Sequence, residues 1–194
     1  SQTATVLLDS AGGTQALTLT ETSASGWAST ASIACTTPSG GSAASYVTIN
    51  NTNRTITANL TTTNYGAVCT ITNTKLPTVT VTKVSNGGTG AFSFNSAGSS
   101  NGFASQTITT ATSGTGVAGT TQTLAAVSTI TDITETIPAG FALTSATCTG
   151  MGAGGTATLS FPTATTGRLR LDAAATAPGA DIACTFTNAK IPTV

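Results

Sequence analysis

Histidine is absent from this chain of 194 residues, and charged residues make up only 6% of it. Without histidine the chain cannot form a Ser/His/Asp or Cys/His triad or a histidine-ligated metal site. Six basic residues balance six acidic residues, so the chain has no basic stripe that would neutralise nucleic-acid phosphates. We therefore expect no enzyme activity, no metal or other cofactor, and no nucleic-acid partner.

Long hydrophobic runs are also absent. A membrane-spanning helix needs about 18 to 20 consecutive apolar residues, and no run in the sequence approaches this length. No membrane span is therefore expected.

Threonine is abundant, with 47 residues, and it alternates with valine, isoleucine and leucine over much of the chain. Alternation of polar and apolar residues is typical of half-buried strands. Turns rich in glycine, serine and asparagine separate strand-sized runs, which include residues 16–21, 46–49, 78–84, 91–94 and 168–172. The pattern predicts an all-β sandwich or barrel without helices.

The chain contains an internal repeat. A glutamate, a Gly-aromatic pair, two cysteines and an Asn-x-Lys-x-Pro-Thr-Val segment occur twice, in the same order and at nearly equal spacing. The first set is Glu21, Gly26-Trp27, Cys35, Cys69 and residues 73–79, and the second is Glu135, Gly140-Phe141, Cys148, Cys184 and residues 188–194. We therefore predict two tandem domains at residues 1–77 and 78–190, with 191–194 as the start of a following connector. Such a chain would form part of a longer array or join end to end with copies of itself.

Each repeat carries one pair of cysteines, and no Cys-x-x-Cys motif suggests zinc binding or redox catalysis. The pairing predicts one disulfide per domain, Cys35 with Cys69 and Cys148 with Cys184, while free buried thiols are the alternative. Disulfides would place the protein in an oxidising compartment.

Several rare polar residues lie in phase with apolar residues on the predicted strands. Alternate residues of a strand share a face, so Lys83 lies on the face of Val79 and Val81. The same relation joins Glu135 to Ile133, Asn188 to Ile182, Cys184 and Phe186, Glu21 to Leu17 and Leu19, and Asn73 to Ala67, Cys69 and Ile71. The two glutamates are the only ones in the chain, and they hold the same repeat position. These polar side chains are predicted to point inward, where a buried charge needs a partner.

At these positions the sequence resembles the prealbumin-like, CNA B-type repeats of bacterial pilins and surface proteins, especially the disulfide-containing SpaA-type domains. Thr-Val-Thr-Lys83-Val is similar to the first strand of the family. Residues 135–141 are similar to the family's motif of glutamate, proline, glycine and an aromatic residue in that order, and Asn188 lies in the counterpart of the family's last strand. The resemblance covers residues 78–190, and it covers the first repeat only from about residue 16 onward. It implies two tandem Ig-like or prealbumin-like β-sandwich domains, of which the first is shortened.

The resemblance further implies an autocatalytic isopeptide bond between Lys83 and Asn188, with Glu135 as the catalytic acid. Apolar surroundings would lower the pKa of the lysine and raise the pKa of the glutamate. A neutral amine would then attack the Asn188 carboxamide while Glu135 polarises the carbonyl group. The alternative is an unreacted cluster of buried hydrogen bonds.

The first repeat lacks part of this arrangement. It keeps Glu21 and Asn73, but residues 7–9 are Leu-Leu-Asp where a lysine would be expected, so no internal bond is predicted there. Nothing in it corresponds to residues 79–94, which would leave a sheet edge uncovered. Either a strand from a neighbouring copy completes the domain by β-augmentation, or residues 4–8 fold back as a shortened first strand.

These features and the resemblance together predict a structural subunit or repeat of a secreted bacterial surface filament, located outside the cell or on its surface. The partner would be the chain itself, in a head-to-tail homopolymer. The alternative is an adhesin domain that binds carbohydrate or a host surface protein, with Trp27 as a candidate stacking platform.

Overall fold

The computed structural model describes residues 2–10 and 13–193, and over these residues it contains β-strands and no helix. The chain divides into two compact units, unit 1 at Ser1–Lys75 and unit 2 at Leu76–Val194, and each has its own hydrophobic core. The predicted all-β sandwich fold is confirmed. Val194, the last residue of the predicted connector 191–194, lies outside the described residues.

Unit 1 consists of two three-stranded sheets. Its strands are β1 (Gln2–Asp9), β2 (Gln15–Thr20), β3 (Ser32–Thr36), β4 (Val47–Asn50), β5 (Thr55–Leu60) and β6 (Gly66–Asn73). The strand orders are β1-β6-β3 and β2-β5-β4. Because successive residues of a strand point to opposite faces, alternate residues of β5 and β6 form the centre of the core: Ile56, Ala58, Leu60, Ala67, Cys69 and Ile71.

Unit 2 also consists of two sheets, and it has additional strands. They are β7 (Thr78–Asn86), β8 (Gly90–Asn95), β9 (Gln106–Thr110), β10 (Val117–Ala118), β11 (Gln122–Thr123), β12 (Thr131–Thr136), β13 (Phe141–Thr149), β14 (Ala157–Thr163), β15 (Thr166–Leu171) and β16 (Asp181–Lys190). One sheet has the order β10-β7-β16-β13, with β11 also paired to β7, and the other has the order β14-β15-β12-β8-β9. Phe94 and Phe186 meet edge to face in the core, with ring centroids 5.1 Å apart.

The first strands of the two units run in opposite directions relative to the last strands. In unit 2, β7 pairs with β16 in parallel, whereas in unit 1, β1 pairs with β6 antiparallel over Gln2 to Asp9. Of the two arrangements considered for the first repeat, the structure contains the one in which the chain folds back. The returning strand is longer than the predicted 4–8, because it stays in register with β6 along its whole length.

Unit 1 is shortened on one side. In unit 2 the strand β8 covers the edge of β12, and β10 with β11 covers the edge of β7. The described part of unit 1 has no counterpart to these strands, so no further described strand pairs with the outer edge of β1 or of β2. Leu19 of β2 is consequently only half-buried, whereas Ile133 at the equivalent position of β12 is completely buried.

Candidate functional site

A lysine, a glutamate and an asparagine meet in the core of unit 2. Lys83 lies on β7, Asn188 lies on the adjacent β16, and Glu135 lies on β12 in the other sheet. The period of two along each strand directs all three side chains inward. All three are completely buried, so the cluster is enclosed by the sandwich rather than exposed in a cleft.

The three side chains are within hydrogen-bonding or ion-pair distance of one another. Lys83 Nζ donates a hydrogen bond to Asn188 Oδ1 at 2.6 Å and another to the Phe186 carbonyl oxygen at 3.1 Å. Asn188 Nδ2 donates to Glu135 Oε1 at 2.7 Å, and Lys83 Nζ lies 3.3 Å from the same carboxylate oxygen. The second carboxylate oxygen, Oε2, is buried without a hydrogen-bond partner.

Burial shifts both ionisable groups toward their neutral forms. Desolvation lowers the pKa of Lys83 to about 8, although attraction to Glu135 opposes the shift. Desolvation also raises the pKa of Glu135 above its usual range, with Lys83 and Asn188 opposing. The Phe92 ring, whose centroid is 4.5 Å from Lys83 Nζ, contributes to this apolar surrounding. The site therefore places an amine beside a carboxamide and a carboxyl group in a medium that disfavours their charges.

A glycine lies opposite the glutamate of the cluster. Gly167 of β15 lies opposite Glu135 in the antiparallel pairing, and a side chain at position 167 would overlap Leu143. The space beside position 167 is therefore filled by Leu143.

Unit 1 builds a related cluster with a different cation. Glu21 and Asn73 are hydrogen-bonded, with Asn73 Nδ2 donating to Glu21 Oε1 at 2.6 Å. Arg54 completes the cluster: one of its terminal nitrogens, Nη2, lies 2.8 Å from Glu21 Oε2 and also donates to Asn73 Oδ1, while Nη1 donates to the Ala28 carbonyl at 3.1 Å. The structure thus brings the predicted Glu21 and Asn73 together, and no lysine joins them.

Arg54 was not among the predicted site residues, but the alternation of β5 could have identified it. It lies in phase with Ile56, Ala58 and Leu60, which are all completely buried. The backbone of Glu21 donates to the Arg54 carbonyl, so Arg54 holds the position in unit 1 that Gly167 holds opposite Glu135. In unit 1 the cation therefore comes from the turn residue immediately before β5, and in unit 2 it comes from the first strand.

Both predicted disulfides are present. Cys35 pairs with Cys69 and Cys148 with Cys184, and each joins directly opposite residues of adjacent strands. These bonds fit an oxidising environment.

The described residues hold no group of three or more His, Cys, Asp or Glu side chains arranged to bind a metal ion. No helix in the described part of the chain has the length and apolar character needed to cross a membrane.

Comparison with protein families gives a match to the prealbumin-like fold domain over residues 79–190. The matched segment covers more than half of the chain, which therefore belongs to this SpaA-type prealbumin-like family. Searches of curated proteins and of solved structures gave no match. Domains of this type are typically structural and typically belong to pilins and other extracellular surface proteins.

Proposed function

We propose that this chain is a structural subunit or repeat of a secreted bacterial surface fibre, strengthened by disulfides and by an isopeptide bond between Lys83 and Asn188. The observation that carries the proposal is the buried cluster of unit 2, in which an amine, a carboxamide and a carboxyl group are in mutual contact. The family and the two disulfides support a structural role outside the cell.

The proposed reaction is a single intramolecular acyl transfer. Lys83 Nζ, in its neutral form, attacks Asn188 Cγ, a C–N bond forms, and the bond from Cγ to Nδ2 breaks. Protonated Glu135 gives its proton to the leaving nitrogen Nδ2 and, as a carboxylate, takes one from the attacking nitrogen Nζ, and its Oε1 lies beside both nitrogens. The leaving group departs as ammonia, so atoms and charge balance and Glu135 is regenerated.

The alternative is an unreacted buried cluster that only stabilises the fold. An ion pair that is fully removed from water gains little net stability unless further hydrogen bonds satisfy both groups. Glu135 Oε2 has no such partner, and burial shifts the pKa values of both residues toward the neutral forms that the reaction needs. These observations favour the reactive interpretation.

The proposed fibre forms by head-to-tail contacts between copies. The outer edge of β2, with which no other described strand of the unit pairs, supports this part of the proposal, because an unpaired strand edge is a template for another strand. Sedimentation of the purified chain over a wide concentration range tests it: we expect growing oligomers, and a strictly monomeric chain would contradict it.

Intact-mass spectrometry of the unreduced chain tests the cross-link. We expect a deficit of about 17 Da for the lost ammonia, in addition to about 2 Da for each disulfide. Glu135→Gln preserves the shape of the side chain but removes the acid, and it should abolish the deficit of about 17 Da. The matched variant Glu21→Gln in unit 1 should retain it. A wild-type chain without this deficit would overturn the cross-link and leave the fibre proposal to the sedimentation test.

A further inference from the structure

An open pocket lies beside the Glu21, Asn73 and Arg54 cluster of unit 1. Its volume is about 160 Å³, and its lining consists of Glu21, Thr22, Ala24, Trp27, Arg54 and Asn73. We call it the Trp27 pocket. It presents one aromatic wall and a buried cation, since Arg54 is only 5% exposed and its Nε has no hydrogen-bond partner.

Unit 2 shows what occupies the corresponding place. Trp27 and Phe141 are equivalent, because Trp27 pairs with Lys75 and Phe141 pairs with Lys190 of the two Asn-x-Lys segments. Phe92 of β8 packs edge to face on Phe141 at a centroid distance of 5.2 Å and covers the Lys83 amine. In unit 2, a strand beside the glutamate strand thus delivers an aromatic ring to this position.

The edge of β2 is suited to receive such a strand. β8 pairs antiparallel with β12 and places Phe94 opposite Glu135. No other described strand of unit 1 pairs with the equivalent edge of β2, and residues 15–20 contain no charge and no proline. Natural edge strands often carry charged residues or proline, which prevent pairing with another strand.

The chain itself supplies a matching aromatic side chain. Among the described residues, the exposed aromatic side chains are Phe161, 55% exposed, and Tyr65, 54% exposed. Phe161 lies on β14, which is the outer strand of its sheet, and a register shift between Ser160 and Thr163 takes it out of the ladder with β15. Tyr65 lies instead in the turn between β5 and β6 of unit 1.

From these observations we infer that Phe161 of one copy, which lies on the outer strand β14, enters the Trp27 pocket of a second copy beside the edge of β2. The ring would contact Trp27 edge to face and lie against the Arg54 guanidinium, as Phe92 does with Phe141 and Lys83. The two surfaces are different, so the contact is heterologous and repeats from copy to copy. The inference rests on the proposed function, because it names the contact through which the fibre grows.

Trp27 is the only tryptophan of the chain, so its fluorescence reports directly on the pocket. In a dilution series of the full chain, we expect the emission to shift to shorter wavelength as oligomers form, because the ring loses contact with water. Phe161→Ser should weaken association about 30-fold or more, as expected for a central aromatic anchor, and should remove the shift. Tyr65→Ser is the matched control, which should behave as the wild type.

A second measurement locates the contact. A photoreactive benzoyl-phenylalanine at position 161 should cross-link to a peptide that contains residues 22–27 of another copy. The wild-type chain could form oligomers while Phe161→Ser associates equally well and the cross-links lie elsewhere. In that case the contact between Phe161 and the Trp27 pocket is wrong, and the fibre proposal stands. If the chain stays monomeric at every concentration, both are overturned.

Discussion

A cation contacts a glutamate and an asparagine in both units, but different residues supply it. Lys83 extends from the first strand of unit 2, while Arg54 in unit 1 lies opposite Glu21 as Gly167 lies opposite Glu135. A lysine amine becomes a neutral nucleophile when burial lowers its pKa, whereas a guanidinium stays protonated throughout the pH range in which proteins fold. The cluster of unit 1 is therefore restricted to the role of an ion pair.

Removal of the guanidinium should weaken unit 1. Arg54→Ala leaves Glu21 and Asn73 without their shared donor, and we expect a loss of about 1–3 kcal/mol in the free energy of unfolding. The loss is limited because the Glu21 side chain is 27% exposed and water can solvate it.

Chemical denaturation monitored by Trp27 fluorescence measures this effect in unit 1. Arg54→Lys keeps the positive charge but not the planar set of guanidinium N–H donors, so its denaturation midpoint should lie between those of the wild type and Arg54→Ala. An unchanged midpoint for Arg54→Ala would show that the cluster does not stabilise the unit.

At the scale of elements, a buried carboxylate ties β12 to β15 in unit 2. Asp132 is completely buried and accepts two hydrogen bonds from Arg170, from Nε at 2.8 Å and from Nη2 at 2.9 Å. It also accepts one from the Ser99 amide at 3.0 Å, which fastens the loop after β8. The hydrogen bonds from Arg170 are the main reason why the pKa of Asp132 is held below its usual range.

This pKa shift predicts an acid-dependent loss of stability. A carboxyl whose pKa is lower in the folded state stabilises the fold above its unfolded pKa of about 3.9, and the contribution disappears as the pH falls through the folded pKa. Asp132→Asn should therefore reduce the urea midpoint of unit 2 near neutral pH and flatten its decline below about pH 4. Circular dichroism measures the midpoint, with the exposed Asp181→Asn as control, and an equally steep acid decline in Asp132→Asn would contradict the assignment.

Alternation along strands made much of the architecture and of the cluster predictable. Lys83, Glu135 and Asn188 each continue an apolar row, so a sandwich brings them into one interior, although the bond between them stays a prediction. The direction of β1 was not predictable, because antiparallel and parallel pairing with β6 bury the same alternate residues. Asp132 was missed for a different reason: it is out of phase with Ile133, and its burial depends on Arg170 and on the loop that contains Ser99.

At the scale of the whole molecule, the two units differ in how they are closed. Over the described residues, unit 2 has ten strands and the edges of β7 and β12 are covered, whereas unit 1 has six strands and no further strand pairs with the outer edge of β1 or of β2. Each unit has one disulfide, and the proposed isopeptide bond would add a second covalent link to unit 2 alone. Unit 1 is therefore expected to be the less stable unit.

Unfolding of the full chain should proceed in two steps. Trp27 fluorescence, which reports only unit 1, should change at a lower denaturant concentration than the second step seen by circular dichroism. Reduction of the disulfides should lower the midpoints of both transitions, since each bond contributes about 4 kcal/mol by loop entropy. Unit 2 should retain more stability than unit 1, because its proposed isopeptide bond is not reduced. A single coincident transition by both probes would contradict this order.

The directions of the first strands determine how each unit responds to tension along the chain. In unit 1, Gln2 pairs with Asn73, so a pull on both ends of the unit loads the β1–β6 ladder at one end and opens it one hydrogen-bonded pair at a time. In unit 2, β7 and β16 are parallel, so the same pull acts along the strands and loads all their hydrogen bonds together. Under load β1 should peel away first, and unit 1 would lengthen as an extensible element in series with a stiff one.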